Sequence, residues 1–106
     1  MVVVRINKNH SYYQMKVSGH ASFDVFGKDT ICAGVSCILF GGINALGKYL
    51  QGDEWFVVSD KDICITIDKL NHEVEVIMET IWIQLKTIED SFPKNIQIII
   101  QEVEKC

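Results

Sequence analysis

The chain has 106 residues, 48% of them hydrophobic and 23% charged, with a formal net charge of −4. That is enough apolar material for one core and too little chain for two, so residues 1–106 read as a single domain. The ten basic residues are scattered singly from Arg5 to Lys105, with no stripe and no interleaved aromatics, which argues against direct nucleic-acid binding.

The N-terminus, MVVVRINKN, has no basic region ahead of its apolar residues and no small-residue cleavage site, so it does not read as a signal peptide. Mean hydropathy is +0.16, yet no uninterrupted apolar run approaches the ~20 residues of a membrane span. A cytoplasmic protein with no membrane partner is expected. Val2, Val4 and Ile6 alternate with Val3, Arg5 and Asn7, the period of a strand. After the turn KNHS, Tyr13, Met15 and Val17 alternate in the same way, which makes an N-terminal hairpin. Gly19 to Lys28 has no periodicity and reads as a loop of about ten residues, a length at which loops are often functional.

From Asp29 to about Tyr49 the apolar residues Ile31, Val35, Ile38, Leu39, Leu46 and Tyr49 recur at helical spacing. Gly34, Gly41, Gly42 and Gly47 each weaken that helix by about 1 kcal/mol against alanine. So many glycines suggest close backbone packing against the sheet or a second chain, or a kink near Gly41-Gly42. Trp55–Ser59 and Ile63–Asp68 form two further strands around SDKD. Asn71 is suited to cap a second helix with the stripe Val74, Ile77, Ile81, Leu85, Ile88 and Phe92, which Pro93 closes. Glu73, Glu75 and Glu79 fall early in it, where they favour the helix dipole. Ile96–Val103 is a last strand. The order ββαββαβ predicts an α+β fold: one mixed or antiparallel sheet of about five strands with two helices.

The stretch GHASFDVFGKDTICAGVSC, from Gly19 to Cys37, puts a histidine at the end of a strand and a cysteine near the start of a helix. With Asp29 as N-cap, Cys32 is the third helical position, among unpaired backbone N–H groups at the positive end of the dipole. That environment is worth up to ~2 kcal/mol to a thiolate, and only the thiolate is the nucleophile. His20 is the available base. Asp29 has two readings, a cap whose charge opposes ionisation of Cys32, or an orienter of the His20 imidazole. Against catalysis stands the ordinary alternative of a buried thiol acting as a small hydrophobe. Ser36, one turn after Cys32, is either polar lining or an ordinary helix residue. Cys37 and Cys64 read as core thiols, and Cys106 has no assignable task. The four cysteines form no CxxC pair, so neither a disulfide framework nor structural zinc is expected. A metal site on His20 and Cys32 would need a third ligand that the sequence does not identify.

At Gly19-His20-Ala21 and Gly27-Lys28-Asp29-Thr30-Ile31-Cys32-Ala33-Gly34-Val35-Ser36 the chain resembles the ribosomal-processing cysteine protease family, Prp. Thr30, Ile31 and Gly34 depart from the family pattern, and none of them is a chemical residue. The resemblance implies a dyad of Cys32 as nucleophile and His20 as general base, with Gly19, Asp29, Ala33 and Ser36 at supporting positions and no metal or cofactor. It implies a homodimer whose substrate is the precursor of large-subunit ribosomal protein L twenty-seven, cut to remove an N-terminal extension. It also implies a loop that closes over peptide. Here that loop is Ala21 to Lys28, with Ala21, Phe23, Val25, Phe26 and Gly27 placed to meet substrate or to pack on the domain. The reading from a different class is a non-catalytic, ribosome-associated interaction module.

Overall fold

A computed structural model describes residues 1–19 and 30–103. Strands β1 (Val2–Lys8) and β2 (Tyr13–Ser18) bury every second residue: Val2, Val4 and Ile6 on one, Tyr13, Met15 and Val17 on the other. The hairpin between them is closed by Asn9, whose Oδ1 accepts the backbone N–H of Ser11 and of Tyr12, each at 2.9 Å. This is the local competition for backbone groups that suits asparagine to turns. The register sets Val4 opposite Val17 and Ile6 opposite Met15.

Helix α1 (Thr30–Leu46) follows, then the short strand β3 (Phe56–Val58), strand β4 (Asp62–Ile67), helix α2 (His72–Ser91) and strand β5 (Ile96–Glu102). The strands lie in the order β3-β4-β2-β1-β5. β4 runs antiparallel to β2 and adds Ile63, Ile65 and Ile67 to the same buried face. β5 runs parallel to β1, because α2 carries the chain back along the sheet before β5 begins. The sheet is therefore mixed, and the ββαββαβ order expected from the sequence holds.

Both helices cover the buried face. α1 contributes Cys32, Val35, Leu39, Ile43 and Leu46, and α2 contributes Val74, Met78, Ile81 and Leu85. Asn71 caps α2 as expected, its side-chain oxygen accepting the Val74 N–H at 2.9 Å. The other face of the sheet carries a cross-strand polar ladder. Asn7 donates to Gln14 at 3.4 Å, Gln14 to Thr66 at 3.3 Å, and Lys16 pairs with Asp62 at 3.7 Å.

Several expectations need correction. α1 stops at Leu46 and not near Tyr49, which lies exposed in the turn beyond it. The close packing at the glycines is against α2 at Gly42, and the helix is continuous through Gly41-Gly42. In α2 the buried stripe takes in Met78, whereas Phe92 is the exposed C-cap. Cys37 is exposed and not a core thiol. Five residues on a helix turn the side chain by about 140°, so Cys37 faces away from the side that buries Cys32. Cys64 is half-buried. Strand alternation places it between the inward Ile63 and Ile65, and its Sγ lies 3.8 Å from Thr66 Oγ1 on the open face.

The helices are antiparallel neighbours, with Gly34 beside Ile88 and Gly42 beside Ile81. A Cβ on Gly42 would overlap the Ile81 side chain, lying 2.7 Å from its Cγ1, while a Cβ on Gly41 meets nothing within 4 Å. Adjacent glycines should therefore respond oppositely to one methyl group. Gly42→Ala is expected to lower stability by about 1–3 kcal/mol through overpacking. Gly41→Ala should raise it by about 0.5–1 kcal/mol through helix propensity. Urea denaturation of the two variants beside wild type checks both signs.

Candidate active site

Cys32 is the third residue of α1 and is 7% exposed, packed into the main hydrophobic cluster. Its position is fixed twice, by the first helical turn and by the core beneath it. The first-turn backbone N–H groups have no acceptor within the helix, and the positive end of the dipole lies there. No acidic side chain stands in the described first turn of α1, so nothing within Thr30–Leu46 opposes a negative charge at its start. Ser36 follows one turn later and is half-buried; Ala33 is exposed.

The strand that leads toward this place ends in a constrained glycine. Gly19 has φ +74° and no room for a side chain, because a Cβ there would overlap the carbonyl oxygen of Met1. The residue before β1 and the residue after β2 thus approach closely through main chain at the point where the chain leaves the sheet. This contact was not legible in the sequence, since nothing in the Gly-His-Ala stretch reports a neighbour eighteen positions earlier. His20, Asp29 and the loop residues Ala21, Phe23, Val25, Phe26 and Gly27 lie outside the described residues. The structure therefore places Cys32, Ser36, Ala33 and Gly19 of the expected set.

Around the start of α1 lies the end of α2, brought there by the antiparallel packing of Gly34 beside Ile88. Lys86 pairs with Asp90 at 3.0 Å and with Glu89 at 3.3 Å. Its ammonium is held above the ordinary lysine value by hydrogen bonds to Asp90 first and Glu89 second. The second oxygen of Glu89 accepts the backbone N–H of Ile98 at 2.8 Å. That carboxylate blunts the outer edge of β5.

A strongly shifted titrating group belongs to the core at the far end of the sheet. Tyr13 is 2% exposed, and burial pushes its phenol far up from the ordinary tyrosine value, with Glu79 the next cause. Its hydroxyl has no aligned hydrogen-bond partner among the described residues. Lys8, paired with Glu79 at 3.5 Å, lies 5.6 Å from the centre of the Tyr13 ring. Perturbed titration often marks a reactive site; here it marks a buried phenol beside a carboxylate. Among the described residues no three histidine, cysteine or acidic side chains converge as a metal site would require, and no helix is long and apolar enough to cross a membrane.

A cysteine held at the start of a helix, on a two-layer α+β frame, is a position that favours a thiolate. The description of the cysteine protease Prp family matches residues 1–97, and the chain belongs to that family. A ribosomal processing cysteine protease Prp from Mycoplasma genitalium is 31% identical over 99 residues, covering 91% of this chain and 94% of the relative. The crystal structure of the Prp protease from Staphylococcus aureus with a covalently linked product peptide superposes with a TM-score of 0.77 at 30% identity. It covers 95% of this chain and 100% of that one. The same S. aureus protease with a substrate peptide gives a TM-score of 0.73 at 28% identity and the same coverage.

Gly19→Ala is expected to be costly for two reasons, the left-handed backbone and the overlap with Met1, together about 2 kcal/mol or more. Thermal denaturation should show a lowered Tm. A variant as stable as wild type would mean that the Met1 contact is absent in solution.

Proposed function

We propose that the chain is the endopeptidase that removes the N-terminal extension of large-subunit ribosomal protein L twenty-seven, in the cytoplasm, with Cys32 as nucleophile and His20 as general base. The observation that carries the reading is the seat of Cys32 in the first turn of α1, in a chain of the cysteine protease Prp family. Support for a covalent route comes from the S. aureus relative, which carries a covalently linked product peptide.

His20 takes the proton of the Cys32 thiol, and the thiolate attacks the scissile carbonyl carbon. The resulting oxyanion is held by backbone N–H groups at the start of α1, which act as fixed donors. Collapse breaks the C–N bond, and the imidazolium returns its proton to the departing amine. Water, deprotonated by His20, then hydrolyses the thioester, releases the carboxylate and restores the thiol. Asp29 orients His20 or caps the helix. Ser36 lines the site one turn below, and Ala33 and Gly19 serve by being small. Phe23, Val25 and Phe26, with Ala21 and Gly27, contact the side chains of the peptide.

The working unit is a homodimer with no bound nucleic acid. The support is α1 itself: its seventeen residues include no charged side chain, and Ala33, Cys37, Phe40, Gly41 and Asn44 on its outer side are exposed. A helix without a charged face is ordinarily covered, and an uncharged stripe is self-complementary across a two-fold axis in a chain of net charge −4.

Intact-mass spectrometry with a peptide spanning the extension junction tests the chemistry. Wild type is expected to yield two fragments, and Cys32→Ala and His20→Ala to lose at least about 1,000-fold in rate. An uncut peptide that all three proteins still bind would favour a non-catalytic interaction module. Sedimentation equilibrium tests the assembly. Wild type should run as a dimer and Cys37→Asp, which buries a charge in the proposed contact, as a monomer. A monomeric wild type overturns the dimer.

A further inference from the structure

At the end of α1 remote from Cys32 lies a hollow of about 430 Å³ that the proposed chemistry does not use. Its walls include Leu50, Glu54 and Trp55 from the chain after α1, and Thr66, Asp68 and Lys69 from the end of β4 and the turn beyond. Three features make it more than a dent in the surface. The Trp55 indole N–H donates to the carbonyl of Gly52 at 3.0 Å, so the half-buried ring is held in place. Gly52 has φ +68°, and the Glu54 carboxylate folds back into the space that a Cβ on Gly52 would fill. One glycine thus fixes an aromatic ring and a carboxylate side by side. The second carboxylate, Asp68, stands on another wall. Neither Glu54 nor Asp68 takes part in an ion pair among the described residues. Asp68 also helps burial to raise the phenol of Tyr12 above its ordinary value, so its field extends over the open sheet face.

An indole ring flanked by two unpaired carboxylates suits a flat cation. A guanidinium stacks on the ring and offers a planar fork of N–H donors to carboxylate oxygens, which an ammonium cannot match. Lys69 on the rim offsets one of the two negative charges and selects for a group that gains from stacking as well as from charge. Cys32 and Leu46 stand about 21 Å apart along α1, at 1.5 Å per residue. An extended peptide needs at least about six residues to span that distance. A group in the hollow therefore belongs to the substrate beyond the residues next to the cut bond. Ribosomal proteins bind RNA and are basic, and this chain carries −4.

We propose that the hollow walled by Trp55, Glu54 and Asp68 is an exosite for an arginine side chain of the protein substrate. The inference rests on the protease reading, and its test separates the two. In the first arm the wild-type protein is titrated with N-acetylarginine amide, and the Trp55 indole N–H signal, assigned with Trp55→Phe, is followed by NMR. The signal should move with the arginine probe, stay still with the neutral citrulline analogue, and stop responding in Glu54→Gln/Asp68→Asn. Equal shifts with both probes, or none, overturn the site. In the second arm, cleavage of the full-length precursor is compared with cleavage of a short junction peptide. The double variant should raise KM for the precursor three- to tenfold at unchanged kcat, and leave kcat/KM for the short peptide where it was. An unchanged precursor KM overturns the exosite. If wild type cuts neither substrate, the protease reading has failed, and the arginine titration alone decides the hollow.

Discussion

The contact on which the rest depends is the close approach of α1 to α2 where Gly42 meets Ile81 and Gly34 meets Ile88. α2 is placed by its cap at Asn71 and by its buried Val74, Met78, Ile81 and Leu85, and it returns the chain to pair β5 parallel with β1. α1 has no described cap of its own. Its position comes from lying on the sheet and against α2 with no side chain at residue 42 to hold the two helices apart. A Cβ there would push α1 outward and shift its first turn, in which Cys32 is buried to 7% exposure. Because interiors are close-packed, such a shift is not absorbed locally.

That packing also explains the electrostatic arrangement. The start of α1 and the end of α2 are neighbours, so the positive end of one dipole faces the negative end of the other. The acidic groups at the end of α2 are engaged elsewhere, Asp90 with Lys86 and Glu89 with both Lys86 and the Ile98 N–H. They do not crowd the α1 terminus with unpaired charge. The shifted phenol of Tyr13 lies at the opposite end, where burial and Glu79 keep it protonated.

Much of the architecture was legible because it is written in short-range periodicity. The alternation in β1, β2 and β4 places nine residues on one face, all of them buried, and the Asn71 cap declares the start of α2 by its side-chain chemistry. What failed was local in another sense. Cys37 looked like core because it is small and apolar, but helical phase decides its side, and the phase is set by Cys32, Val35 and Leu39. Phe92 looked like the last residue of a buried stripe, yet as the C-cap it leaves the helical path and is 48% exposed. The Met1–Gly19 contact was out of reach because it depends on strand pairing across the sheet. Of the site, the sequence offered the candidate residues His20 and Cys32 through the Gly-His-Ala and Cys32 motifs. It did not supply the burial of Cys32 or the Trp55 hollow, which arises only when the β4 terminus and the turn after α1 come together.

One helix thereby links the proposed nucleophile, the uncharged outer stripe and the Trp55 hollow. The first lies in its first turn, the second along its middle, and the third just beyond its end. A helix with its i→i−4 ladder intact keeps a fixed rise per residue, so the distance from thiol to hollow is a property of α1 and does not vary with loop motion. A flexible substrate tail gains little from a second contact unless the span between contacts is constant, since the effective concentration depends on matching that span. The unbroken passage of α1 through Gly41-Gly42 matters here. A break at those glycines would have redirected the span, and it is there that Gly42 packs on Ile81.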